Sequence, residues 1–273
     1  MKYITVLLVV SAMVLTAQSE NDLRIRNFPK EEIIRTGYPK KENTWVFLMA
    51  GQSNMAGRGF VEPQDTLSHE RILTINSNGT LIHAKEPIHF YEPVRAGLDC
   101  GLSFGRELLD HIPDSIQIIL IPTAVGGSSV SQWLGDSTKR SVRLLTNFTE
   151  KAAIGITYGT VKGVLWHQGE SDANTADLPF YKERLKKLFQ QFREIIGNEQ
   201  LPVILGELGT YSEKKEFWAK INDLIHSYSL GDPYTAVVST SDLVDKGDKE
   251  HFNAEGQRTL GKRYAEAFLR MMK

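Results

Sequence analysis

Short apolar runs alternate along this chain with longer stretches in which apolar residues return every three to four positions. The runs at 45–50, 72–75, 116–121, 161–166, 203–206 and 236–239 are bounded by polar or turn-forming residues, as buried strands are. Helical spacing marks 101–112, 141–156, 178–196, 213–228 and 254–271. It is clearest in 178–196, where Tyr181, Leu185, Leu188, Phe189, Phe192 and Ile196 share one face. Strands alternating with helices predict βαβ units and a parallel sheet covered on both faces, an α/β fold. The segment 58–95 is less regular and reads as insertions over one sheet edge. Within it Asn78-Gly79 signals a tight hairpin turn.

The start of the chain follows a different pattern. A short basic beginning, Met1-Lys2-Tyr3, precedes an almost wholly apolar stretch to Ala17, followed by the small residues of a cleavage region. This predicts a signal peptide over 1–19, an exported protein, periplasmic or extracellular, and no membrane attachment once the signal is removed. Residues 20–43 read as a polar lead-in, and 44–273 as one domain, since no repeat, linker or compositional break interrupts them. The apolar fraction is 41%, the charged fraction 24% and the net charge −1. That balance suits a globular protein and lacks the basic excess of a nucleic-acid binder. The lone Cys100 excludes an internal disulfide and reads as a small buried apolar residue. The seven histidines show no metal-ligand spacing, so no metal is expected.

Four segments carry candidate chemistry. Gly51-Gln52-Ser53-Asn54-Met55-Ala56-Gly57 follows the first apolar run, which sets Ser53 at the carboxyl edge of a sheet, where open α/β folds bind and react. Gly126-Gly127-Ser128-Ser129 follows the third run and offers a backbone N–H to an oxyanion; an ordinary strand-to-helix turn has the same look. Trp166-His167-Gln168-Gly169-Glu170-Ser171-Asp172 ends the fourth run. There Gln168 is a side-chain donor, Glu170 a partner for an imidazole, and Asp172 or Ser171 a helix cap. Asp248-Lys249-Glu250-His251 precedes the last helix. This spacing lets a carboxylate hold the near ring nitrogen of His251 while the far nitrogen meets a serine.

In these blocks the chain resembles the SGNH hydrolase superfamily, and more narrowly the carbohydrate esterases that include sialate O-acetylesterases and family 6 acetylxylan esterases. The blocks GQSNMAG at 51–57, GGSSVSQW at 126–133, WHQGESD at 166–172 and DKEHF at 248–252 carry the likeness, and 101–108 adds to it. The resemblance implies a flavodoxin-like three-layer α/β/α sandwich with a five-stranded parallel sheet. It also implies removal of O-acetyl groups from sugars, acetylated hemicellulose or sialic acid, without a cofactor. It maps a nucleophile onto Ser53, a base onto His251 and oxyanion donors onto the Ser53 and Gly127 N–H groups and Gln168. The orienting acid maps onto Asp248, with Glu170 as a competitor. Two alternatives remain open: a lipase- or thioesterase-like hydrolase, and a non-catalytic carbohydrate binder with Trp133 and Trp166 as its sugar platform. Arg58 and Arg95 are candidates to meet a substrate carboxylate.

Overall fold

The computed structural model describes residues 23–37 and 40–273; the expected signal peptide, 1–19, lies outside them. In chain order the strands are β1 (Thr44–Gly51), β2 (Ile72–Ile75), β3 (Leu81–His83), β4 (Gln117–Pro122), β5 (Thr138–Lys139), β6 (Val142–Arg143), β7 (Thr160–His167), β8 (Val203–Gly206) and β9 (Thr235–Val238). The α-helical segments are α1 (Ser53–Ala56), α2 (Gly101–Leu109), α3 (Val130–Leu134), α4 (Leu144–Tyr158), α5 (Tyr181–Ile196), α6 (Lys215–Ser229) and α7 (Ala254–Met271).

Seven strands form the main sheet in the order β3-β2-β4-β1-β7-β8-β9. Every neighbouring pair is parallel except β2 with β3. The expected five-stranded sheet is thus corrected to six parallel strands and one antiparallel edge. The edge strand arises at the Asn78-Gly79 turn, where Gly79 takes φ +79 and returns the chain along β2. β5 and β6 make a separate small hairpin. It occupies residues expected to begin a helix at 141, because Arg140 and Ser141 sit at φ +47 and +64, which no helix accepts.

Successive residues of β1 face opposite layers. Val46, Leu48 and Ala50 join a buried cluster with Trp133, Phe148, Leu188, Phe192 and Trp218, which seats α3, α4, α5 and α6 on one side. Phe47 and Met49 join Phe104, Leu108, Leu260 and Phe268, which seats α2 and α7 on the other. The rings of Phe104 and Phe268 meet Phe47 edge-on at 4.8 and 4.9 Å. α2 and α7 approach closely at Gly261, where a Cβ would lie 2.3 Å from the Cys100 carbonyl. The lead-in is tied to the sheet as well: Ile34 bridges Ile82, and the Arg35 N–H donates to Leu81.

The chain leaves β1 toward β2 on one side and, after β4, crosses to β7 on the other. β1 is therefore the point where the winding reverses, and a crevice opens beyond the carboxyl ends of β4, β1 and β7.

Candidate active site

β1 ends at Gly51, whose N-terminal neighbours are buried and whose successor Gln52 donates its N–H to the His167 carbonyl at 2.9 Å. Gly51 takes φ +131, and a Cβ there would meet that same carbonyl oxygen at 2.1 Å. Only glycine lets β1 and β7 close this tightly before the chain turns. The turn opens α1, with Ser53 as its first residue. A first helical residue has no intrahelical acceptor for its N–H.

The loop before α7 carries the partner. His251 Nε2 lies 3.0 Å from Ser53 Oγ, and His251 Nδ1 lies 2.8 Å from Asp248 Oδ2. Asp248 Oδ1 also accepts the N–H groups of Glu250 and His251 at 3.0 and 2.8 Å. Burial pushes the Asp248 carboxyl up, but the bonds from His251 and Glu250 outweigh it and hold the acid at about 2. An ionised Asp248 accepts a hydrogen bond from Nδ1–H, which leaves the Nε2 lone pair facing the hydroxyl. The loop's shape is set locally: Asp245 Oδ2 accepts from Gly247 and Lys249 at 2.8 and 2.7 Å, and Lys246 N–H donates to the His251 carbonyl at 2.8 Å.

Glu170 sits elsewhere than the competing-acid reading expects. Both ring nitrogens of His251 are occupied, by Ser53 and Asp248, and Glu170 Oε1 instead accepts from Asn54 Nδ2 at 2.7 Å. Burial raises the Glu170 carboxyl above its usual range.

The 125–128 loop is fastened to the end of β1, two residues before Ser53. Val125 N–H donates to the Gly51 carbonyl at 3.1 Å, and Ser128 Oγ lies 2.8 Å from the Val125 carbonyl and 3.2 Å from that of Gly51. The Gly126 N–H is taken by Glu92 Oε1 at 2.6 Å. Gly127, at φ +70 and half-buried, has an N–H with no hydrogen-bond acceptor among the described residues. Of the two glycines, Gly127 is thus the one with a donor to offer. Glu92 also binds Arg58 Nη2 at 2.8 Å and Arg140 Nε at 2.7 Å. Burial would raise its carboxyl, yet these cations and the Gly126 N–H keep it below the ordinary carboxylate range.

Gln168 requires a correction. Its Nε2 carries two protons and faces three acceptors: Asp172 Oδ2 at 2.6 Å, Ser128 O at 3.1 Å and Gln52 Oε1 at 3.2 Å. No proton remains for an oxyanion, so the amide braces the ends of β1, β4 and β7 instead. Asp172 does cap a helix, but a distant one: its Oδ2 accepts the Val130 N–H at the start of α3 at 3.0 Å. Burial lifts its carboxyl to about 6.

Other candidates fall away from the surface. Trp133 and Trp166 are fully buried and stack edge-on at 5.6 Å, so neither is a sugar platform. Arg58 spends its guanidinium on Glu92 and the Gly57 carbonyl rather than on a substrate. Cys100 is buried, and its thiol is pushed well up by burial and by Asp99. Among the described residues no three His, Cys, Asp or Glu side chains form a metal site. A cavity of about 380 Å³ adjoins Asp248, lined by Glu170, Trp218, Glu250 and the 212–214 turn. A larger one of about 540 Å³ lies near Arg193 and Asp232, toward the amino ends of β8 and β9, away from this chemistry.

Glu92 and Asn54 gave no sequence signal of their own. Glu92 is one acid in an irregular segment, and Asn54 is overshadowed by its neighbour Ser53.

A family model described as carbohydrate esterase, sialic acid-specific acetylesterase, matches residues 43–270. A probable carbohydrate esterase of Arabidopsis thaliana is 28% identical over 249 residues, which covers 82% of this chain and 90% of that protein. An X-ray structure of an Arabidopsis thaliana protein superposes with a TM-score of 0.74 at 25% identity, covering 84% of this chain and 98% of that one. The crystal structure of NanS gives a TM-score of 0.68 at 18% identity, covering 87% and 99% of the two chains. A carbohydrate acetylesterase from Xanthomonas citri gives 0.62 at 21%, covering 82% of this chain and 55% of that one. The last two likenesses concern the fold.

Proposed function

The chain belongs to the carbohydrate esterase family of the sialic acid-specific acetylesterase type, and from that premise we propose that it removes O-acetyl groups from sugars through an acyl-enzyme on Ser53. The observation that carries this reading is the line Asp248–His251–Ser53, with contacts of 2.8 and 3.0 Å. His251 takes the Ser53 proton as the oxygen attacks the acetyl carbonyl. The negative charge that develops on the carbonyl oxygen is met by the Ser53 and Gly127 N–H groups. His251 then gives its proton to the departing sugar oxygen, and the acetyl group stays on Ser53. Water attacks next, His251 takes its proton and returns it to Ser53 Oγ as the acyl–oxygen bond breaks, and acetate leaves. Asp248 stays ionised throughout and stabilises the imidazolium.

Acetylated hemicellulose and sialic acid are the candidate substrates, and the signal-like residues 1–19 support action outside the cytoplasm. The wild-type protein is expected to hydrolyse p-nitrophenyl acetate, and Ser53→Ala to lose at least roughly 10,000-fold in kcat. Ser53→Ala turning over at the wild-type rate would overturn the reading. Rates that rise from acetyl toward octanoyl esters would instead support a lipase-like hydrolase. Acetate release from acetylated glycans identifies the sugar.

A further inference from the structure

We propose that Asn54 is the positioning residue that fixes the base against the nucleophile, with Glu170 as its anchor; this rests on the acyl-transfer reading above. Asn54 follows Ser53 in α1 and is only 1% exposed. One Nδ2 proton goes to the Glu250 carbonyl at 3.1 Å, and Oδ1 accepts the Phe252 N–H at 3.1 Å. Those two groups belong to the peptide units on either side of His251. The residue beside the nucleophile therefore grips the main chain both before and after the base, across almost 200 positions of sequence.

The second Nδ2 proton goes to Glu170 Oε1 at 2.7 Å. Two acceptors face the nitrogen and one N–H faces the oxygen, which decides the amide's orientation. A flipped amide would set its oxygen against a carboxylate. Gln257 Nε2, from α7, adds a bond to the Asn54 carbonyl at 2.9 Å. Every strong hydrogen-bonding group of the Asn54 side chain is used, and no other residue type of this size supplies two donors and an acceptor.

This division of labour answers a geometric need. The bonds from Asp245 and Asp248 stay within the loop and shape it, but they do not locate it. The buried ring of Phe252, edge-on to His167 at 5.4 Å, sets the loop's depth. Asn54 sets its register, and proton transfer is sensitive to displacements of an ångström or less. Glu170, with no ring nitrogen of His251 to hold, acts one step further back by holding the amide.

The test compares Asn54→Ala, Asn54→Ser, Glu170→Gln and Glu170→Ala on p-nitrophenyl acetate, with melting curves for each. Loss of the Asn54 amide should lower kcat by roughly 100-fold while KM stays within about threefold. Glu170→Gln keeps an oxygen to accept the amide proton and should hold kcat within about threefold, whereas Glu170→Ala should lose roughly tenfold. Wild-type kcat in folded Asn54→Ala or Asn54→Ser would overturn the proposal. So would equal kcat in Glu170→Gln and Glu170→Ala, a comparison that stands even if the Asn54 variants do not fold. A wild-type protein without any esterase activity would instead sink the acyl-transfer reading itself.

Discussion

Two walls flank Ser53, and they are built differently. The wall that carries His251 is a loop whose Asp248 side chain is 34% exposed, knitted by short-range bonds from Asp245 and Asp248. The opposite wall is buried: Gln168 and Asp172 are wholly inaccessible, and Ser128 joins them beneath Gly127. Apart from the local Gln168–Asp172 bond, its bonds span 40 residues or more, and join the ends of three strands. The contrast fits the roles proposed for the two walls. A base gains and loses a proton in every cycle and needs a polar setting where both states are tolerated. Backbone donors stabilise charge best when they cannot reorient, which favours a rigid and dry support.

The comparison predicts distinct failures on the two sides. On the base side, Asp248→Asn should cut kcat on p-nitrophenyl acetate by roughly 1,000- to 10,000-fold, because His251 loses the acceptor that fixes its tautomer. Its melting temperature should change little, since the acid lies in a partly exposed loop. A smaller loss than that in Glu170→Gln would reverse the assignment of the two acids.

On the donor side, Glu92→Ala should lower kcat by roughly 10- to 100-fold, because the Gly126 bond that sets the Gly127 N–H is gone. It should also destabilise the fold by about 3–5 kcal/mol, as Arg58 is left buried without its partner. Steady-state kinetics and urea titration read the two effects separately.

Gln168→Leu sharpens the contrast further. It strips the donor from Asp172 and Ser128 and should cost about 3 kcal/mol in urea unfolding, since buried acceptors are left unsatisfied. Turnover per folded molecule should fall less than roughly tenfold, because the amide has no proton to spare for the oxyanion. A hundredfold loss with unchanged stability would return Gln168 to the oxyanion site.

The smallest expected effect is electrostatic. Burial holds the folded Asp172 carboxyl at about 6, above its unfolded value. A raised carboxyl stabilises the fold fully below the unfolded value, and that contribution is lost as pH rises through the folded one. Between about pH 4 and 6 it should fall by roughly 2–3 kcal/mol. Unfolding titrations of wild type and Asp172→Asn across this window should diverge by that amount; parallel curves would contradict the burial argument.

Much of the scaffold was legible in the sequence for a simple reason. Each buried parallel strand needs its own apolar run, and the six runs became β1, β2, β4, β7, β8 and β9. The count of five, taken from the resemblance, omitted edge strands that the residues themselves displayed. The β5–β6 hairpin was hidden, because two-residue strands at the surface have no periodicity and its turn uses Arg140 and Ser141 rather than glycine. At the site, Ser53, Asp248 and His251 stood out by residue type and placement. The role of Gln168 did not, because whether an amide is free or saturated depends on acceptors from three strand ends that meet only in the fold. Glu92 was invisible for the same reason: its partners Arg58, Gly126 and Arg140 lie at unrelated separations.

The most direct test of the hydroxyl–imidazole contact is chemical capture of the nucleophile. The wild-type protein is treated with a fluorophosphonate ester and its peptides are mapped by mass spectrometry. A single adduct on Ser53, absent from the His251→Ala variant, is the predicted result. Modification at another residue, or equal labelling of Ser53 without the imidazole, would contradict it.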